Sequence, residues 1–229
     1  MPFFIATLLV WIAALYFARP NPSSLRSKPP GYGDSFKKIR GTFWLGLFLI
    51  VLHLIFSEGT FQSLNEDWAV IFGINNIVKF TPWWFMQIFA SNFFHFDFIH
   101  LWMNLVFLGL LSIYERRAGA RRFLTVFLVG GVVSATSVLF ITDPMVAVGA
   151  SGGLYALAAA YLFDSNTVSN KKYPLLVGLV IVLFILASLP DFQTVGSTGT
   201  DKVNILGHFF GLLFGVVYCK LFPARHTPE

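Results

Sequence analysis

The chain has 229 residues, of which 56% are hydrophobic, 17% aromatic and only 12% charged, about half the charged share of a soluble domain. That composition excludes a water-soluble single-core fold. Seven apolar runs, each approaching the roughly 20 residues that cross a bilayer as a helix, predict an all-α, polytopic integral membrane protein whose formal charge of +5 reports loop topology rather than nucleic-acid binding.

The first run, 3–18, follows Met1 and Pro2 with no Lys or Arg ahead of it. A secretory signal opens with a basic stretch, so this run is read as a retained span. From 19 to 41, Arg19, Arg26, Lys28, Lys37, Lys38 and Arg40 stand among Pro, Ser and Gly with Asp34 alone opposing. This predicts a basic cytoplasmic linker. A second span covers 42–56. The segment 57–94 mixes acids with aromatics such as Trp68, Trp83 and Trp84 and reads as interfacial, its tryptophans as belt residues. Further spans follow at 95–114, 123–141, 149–163, 173–189 and 204–222, and 223–229 is a short tail. The single cysteine, Cys219, excludes an intramolecular disulfide and is read as packed or lipid-facing.

Cytoplasmic loops should hold the excess of basic residues. Segments 19–41, 115–122, 164–172 and the C-terminal end hold 14 of the 16 Lys and Arg, leaving Lys79 and Lys202 opposite. Seven spans therefore place the N-terminus, the aromatic segment, the Asp143 loop and the 191–201 loop outside, and the C-terminus in the cytoplasm. Arg116, Arg117, Arg121 and Arg122 are read as topology determinants.

Polar groups inside spans cost a few kcal/mol to insert, so each is a functional candidate. They are His53, His95, Asp97, His100, Asn104, Ser151, Tyr155, Asn204 and His208. At 1.5 Å per residue, Ser151 and His208 both fall within roughly 3–6 Å of the outer ends of their spans. Because the span carrying Ser151 is short, that end should lie in a recess. Gly149-Ala150-Ser151-Gly152-Gly153 sets a serine where a loop becomes a helix, and a helix N-terminus offers unpaired amides to an anion forming nearby. The same small residues also suit helix packing. His100 and Asn104 share one helix face and suit either an interhelical hydrogen bond or an oxyanion stabiliser. His208, with Gly211 and Gly215 behind it, lies on a smooth face open to a close neighbour. His53 is read as a packed or bonded span residue, and Asp97 as facing the outer headgroups without a catalytic role.

Taken together, His95-x4-His100-x3-Asn104, Glu115-Arg-Arg-Ala-Gly119, Gly149-Ala-Ser151-Gly, Tyr155 four residues past the serine, and His208-x2-Gly211-x3-Gly215 resemble the rhomboid intramembrane serine proteases. The resemblance covers 42–222 and implies a six-helix rhomboid-like catalytic domain, with 1–18 as one extra N-terminal transmembrane helix. It implies Ser151 as nucleophile and His208 as general base, a dyad without the usual third acid. His100 and Asn104, with the Ser151 amide, would hold the oxyanion. Tyr155 would stack on His208, Gly149 would give the backbone room, and His95 would support. Glu115 would pair locally, as in the family's Glu-x-Arg. Rhomboids commonly show Trp-Arg in the first loop, where this chain has Met86-Gln87.

The implied function is an intramembrane endopeptidase in the cell membrane, acting on transmembrane protein substrates in the lipid bilayer without cofactor or metal. The alternative is a catalytically inactive rhomboid-like scaffold that binds and routes membrane clients. A metal site built from His95, His100, His208 and Asp97 is disfavoured because there is no His-Glu-x-x-His and no carboxylate cluster. No internal repeat of the transporter kind is present.

Overall fold

The structure, a computed structural model, describes residues 2–17, 32–57, 63–164, 178 and 204–224. Apart from Gly178, the expected sixth span at 173–189 lies outside the described residues, as does the 191–201 loop. The described part is mostly helical. Helix α1 is Pro2–Phe17, and the expected linker is not irregular throughout, since Tyr32–Lys38 forms α2 and α3 already begins at Arg40 and runs to Phe56.

Helix α3 starts there because of Glu115, a residue more than 70 positions on in the chain. Ile39 supplies no side-chain cap, and the first amides of α3 are satisfied by Glu115, which accepts from Gly41 N at 2.8 Å, Thr42 N at 2.7 Å and Thr42 Oγ1 at 2.7 Å. A buried carboxylate at a helix N-terminus meets both the orphan donors and the positive dipole end. The expected local pairing of Glu115 with its arginine neighbours is thereby corrected.

Between α3 and the next long helix lie α4 (Glu66–Phe72), β1 (Ile74–Asn75), α5 (Pro82–Ala90) and a 3-10 turn, Ser91–Phe93. Helix α5 opens on the Thr81 side chain, which accepts from Trp84 N, with Pro82 in the first turn, where its missing N–H costs nothing. Trp83 is half exposed, as a belt residue should be. Trp84 is not a belt residue: it is 2% exposed, packs with Ile88 and Val138, and donates Nε1 to Asn75 O at 2.8 Å. Gln87, standing where the family commonly has Arg, is buried and donates to Val70 O and Ile71 O.

The third expected span shifts along the chain. Helix α6 is Phe98–Ala118 rather than 95–114, because Asp97 caps it by accepting from His100 N at 2.7 Å and Gly119, at φ +83°, ends it in a conformation other residues rarely adopt. Helix α7 (Ala120–Ala135) follows at once and closes in a 3-10 turn, Thr136–Phe140. Strand β2 (Val146–Ala147) pairs antiparallel with β1. Helix α8 (Ser151–Phe163) is buried at every position from Ser151 to Tyr161, and α9 (Ile205–Leu221) completes the described fold.

Among the described residues α8 is the central helix, pressed between α7 and α9. A Cβ at Gly211 would run into Gly152 O and one at Gly215 into Ala156 O; small residues let these backbones approach. On the far side, Trp11 of α1 fills a hole formed by Gly46 of α3 and Gly109 of α6. Helices α6 and the α7 unit, Phe98–Ala118 and Ala120–Phe140, are each long and apolar enough to cross a membrane, and four shorter apolar helices accompany them.

Arg122 belongs to the interior rather than to a loop. Its guanidinium donates to Asp164 Oδ2 at 2.9 Å and to the Tyr114 hydroxyl at 2.9 Å, and lies 5.0 Å from the Tyr218 ring centroid. Asp164 also accepts from Ala224 N at 3.2 Å. The reading of Arg122 as a topology determinant alone is corrected, since this cluster joins α6, α7, α8 and α9. Cys219 is packed against it, 3% exposed.

Candidate active site

Ser151 is the first residue of α8 and His208 the fourth of α9. The glycine seam between these helices brings Ser151 Oγ to 2.8 Å from His208 Nε2. Each residue keeps 8% of its surface exposed, so the pair is recessed without being sealed.

The backbone around the serine is held from two directions. Gly149 N donates to Ser91 O at 2.8 Å, and Ala150 N reaches His95 Nε2 at 3.4 Å. Gly149 itself adopts φ +139°, a region that L side chains rarely enter. A Cβ there would lie 2.8 Å from His100 Cε1, 2.9 Å from His100 Nε2 and 3.7 Å from Ser151 Oγ. The missing side chain therefore lets His100 and the serine hydroxyl border the same small volume. Ala150 provides no side-chain cap for α8, which leaves the first-turn amides available to an oxygen outside the helix.

His95 precedes α6 and His100 lies in its first turns; their rings meet edge to face at 5.1 Å. Asn104, one turn deeper and fully buried, donates Nδ2 to His100 O at 2.8 Å. An amide nitrogen carries a second hydrogen, so Asn104 retains a donor. Tyr155, one turn into α8, stacks on His208 with centroids 4.4 Å apart and planes at 26°, and Phe107 backs it edge-on at 5.8 Å.

The residues singled out from the sequence thus separate into two groups. Ser151, His208, His100, Asn104, His95, Tyr155 and Gly149 lie around one recess. His53 is buried within α3, Cys219 lies at the other end of α9, and the buried carboxylates Glu115 and Asp164 serve α3 and Arg122. Among the described residues, no group of three or more His, Cys, Asp or Glu is arranged to hold a metal ion.

Three polar residues near the recess were not given their structural parts by sequence reasoning. Asp97 caps the helix carrying His100 and Asn104, a role signalled by an acid just ahead of the apolar run. Asn204 caps α9 and bonds Ser137. Asn76 donates to Ile141 O and Asp143 O and accepts from Met145 N at 3.0 Å, tying the segment before α5 to the loop that leads to Ser151. Nothing local in the sequence marks that last contact.

A sequence model of the family described as Rhomboid domain matches residues 82–225, more than half of the chain. The chain belongs to the rhomboid family. The rhomboid match opens at the first residue of α5 and takes in every residue around the recess. Two relatives carry the same family in their names. A Bacillus subtilis (strain 168) protein named "Putative rhomboid protease YdcA" is 29% identical over 149 residues, covering 62% of this chain and 69% of the relative. "Rhomboid-like protease 3" of Toxoplasma gondii is 24% identical over 176 residues, covering 76% of this chain and 65% of the relative, so the chain spans just under two thirds of that protein.

Proposed function

We propose that this rhomboid is an intramembrane serine endopeptidase that cleaves transmembrane segments of membrane-protein substrates near the outer membrane face. The observation that carries the reading is the 2.8 Å approach of Ser151 Oγ to His208 Nε2. Ser151 Oγ attacks the scissile carbonyl as His208 Nε2 takes its proton, and the imidazolium then protonates the departing amine. Water, activated by the same imidazole, releases the acyl group from Ser151. The oxyanion is received by the Ser151 N–H, by His100 with its Nε2 proton, and by Asn104 Nδ2, donors that act where charge develops. Tyr155 holds the imidazole plane from one side, a task that an acid performs in three-membered triads. His95 steadies the loop and Gly149 keeps it open to His100.

The topology proposed with this chemistry has seven spans, with the N-terminus outside and the C-terminus cytoplasmic. The 14 to 2 division of basic residues supports it. Residues 1–18 form the extra helix, 19–41 the cytoplasmic connection, 42–222 the catalytic domain and 223–229 the tail, in the cell membrane. A substrate helix must unwind before attack, because its carbonyls are bonded within the helix, and Gly, Ala or Pro near the cut lowers that cost. The test is co-expression of tagged single-span membrane proteins with wild type and with Ser151→Ala, followed by sequencing of new termini. New termini within or beside a span, present only with wild type, are expected. Identical termini with both proteins would overturn the proposal.

A further inference from the structure

Asn204, the cap of α9, is a polar residue that the proposed chemistry leaves unused. Its Oδ1 accepts from Gly207 N at 2.7 Å and its backbone oxygen accepts from His208 N at 3.1 Å, so it begins the helix that carries the base. A cap requires only that acceptor, and Ser, Thr or Asp would serve. Asn adds a donor, and Nδ2 spends it on Ser137 Oγ at 2.8 Å, in the 3-10 turn that closes α7. Ser137 is fully buried, where a hydroxyl needs a partner.

Three residues earlier on α7, Ser134 stands between the two helices of the Ser–His pair. A Cβ at Gly152 would collide with Ser134 Oγ, and one at Gly207 would lie 2.9 Å from it. Gly152 follows Ser151 and Gly207 precedes His208. Ser134 thus touches α8 and α9 beside the nucleophile and beside the base.

Along the Gly211 and Gly215 face α8 and α9 meet in close backbone contact, and near the pair their axial register rests on the Tyr155–His208 stack and on the contacts both helices make with the outer end of α7. A displacement of about 1 Å along the line of the Ser151–His208 contact would stretch it from 2.8 Å beyond hydrogen-bond range, and misplacement on that scale costs on the order of 10²-fold in rate. We infer that the outer end of α7 sets this register: Asn204 and Ser137 form a latch, with Ser134 as the spacer, making Asn204 and Ser137 positioning residues for the pair. The inference rests on the dyad reading above.

The test compares Asn204→Thr, which keeps a cap acceptor but is too short to reach Ser137, with Ser137→Ala, which removes the acceptor and leaves the cap. Turnover, KM, the rate of Ser151 labelling by a fluorophosphonate and melting temperature are measured on the same detergent-purified full chains. Both variants should lose about tenfold or more in turnover and labelling rate with KM little changed, and the double variant should be no worse than either single. Asn204→Asp should recover activity, because the Ser137 hydroxyl can donate to the new carboxylate, and should fail to recover it in the Ser137→Ala background. Ser137→Ala, which loses one atom, carries the test if Asn204→Thr does not fold. Labelling of the folded variants at the wild-type rate, whatever their melting temperature, overturns the latch alone. Wild-type protein that is not labelled at Ser151 overturns the dyad reading and the latch together.

Discussion

Arg122→Ala is expected to cost this protein much of its stability while leaving its orientation in the membrane unchanged. The guanidinium lies 2.9 Å from Asp164 Oδ2, and the two side chains are 14% and 0% exposed. Removing one member of a buried pair costs about 3–5 kcal/mol, mainly because the remaining charge is stranded. Asp164 keeps the Tyr114 hydroxyl and Ala224 N, each at 3.2 Å, which argues for the lower end, about 3 kcal/mol. The lost contact with the Tyr218 ring adds about 0.5–1 kcal/mol. The assay is reversible unfolding in mixed micelles, with wild type, Arg122→Ala, Arg122→Lys and the double variant Arg122→Met/Asp164→Leu. Lysine supplies the charge without the fork that reaches both Asp164 and Tyr114, so it should recover part of the loss. The double variant should be more stable than Arg122→Ala, since it buries no unpaired charge. Wild-type unfolding of Arg122→Ala, together with an altered orientation, would refute the reasoning and return Arg122 to the topology role that its loop position suggests.

Gly149→Ala should abolish turnover in a protein that still folds: its φ of +139° disfavours any side chain, and the new methyl would push the His100 ring away from Ser151, as comparison of turnover with melting temperature will check. His100→Ala and Asn104→Ala should each lower turnover by about 10²–10³ with substrate affinity largely kept, the cost of one oxyanion donor; a lowered melting temperature with normal turnover would make them structural. Cysteines introduced at 143 or 196 should react with an impermeant reagent only from outside, and at 120 or 168 only from the cytoplasm, as the charge division demands.

The recess was legible in the sequence to the degree that its parts are local. Gly149, Ser151 and Tyr155 fall within one loop and two helical turns, and His100 with Asn104 are one turn apart, so spacing alone aligns them. The pairing of Ser151 with His208 spans 57 positions; the charge-assigned spans set both residues at the same depth, and the pairing itself was what the rhomboid resemblance implied. Contacts without such a common coordinate were not legible. Glu115 looked like a member of a charged cluster, yet its partners are Gly41 and Thr42; Arg122 looked like a loop cation, yet its partner Asp164 is 42 positions on. Hydropathy rises from Phe93 onward, so it began the third span at 95, whereas the Asp97 cap delays the helix to Phe98. Trp84 has the composition of a belt residue, and only the fold of 74–90 against α7 makes it interior.

Covalent labelling of the purified protein tests the proposed chemistry most directly. Wild type is incubated with a fluorophosphonate, digested, and searched by mass spectrometry for the modified residue, beside Ser151→Ala and His208→Ala. A single adduct on Ser151, absent from Ser151→Ala and formed far more slowly in His208→Ala, is the predicted result. An unlabelled wild type that still cleaves a transmembrane substrate, or an adduct on another residue whose loss abolishes cleavage, would contradict it.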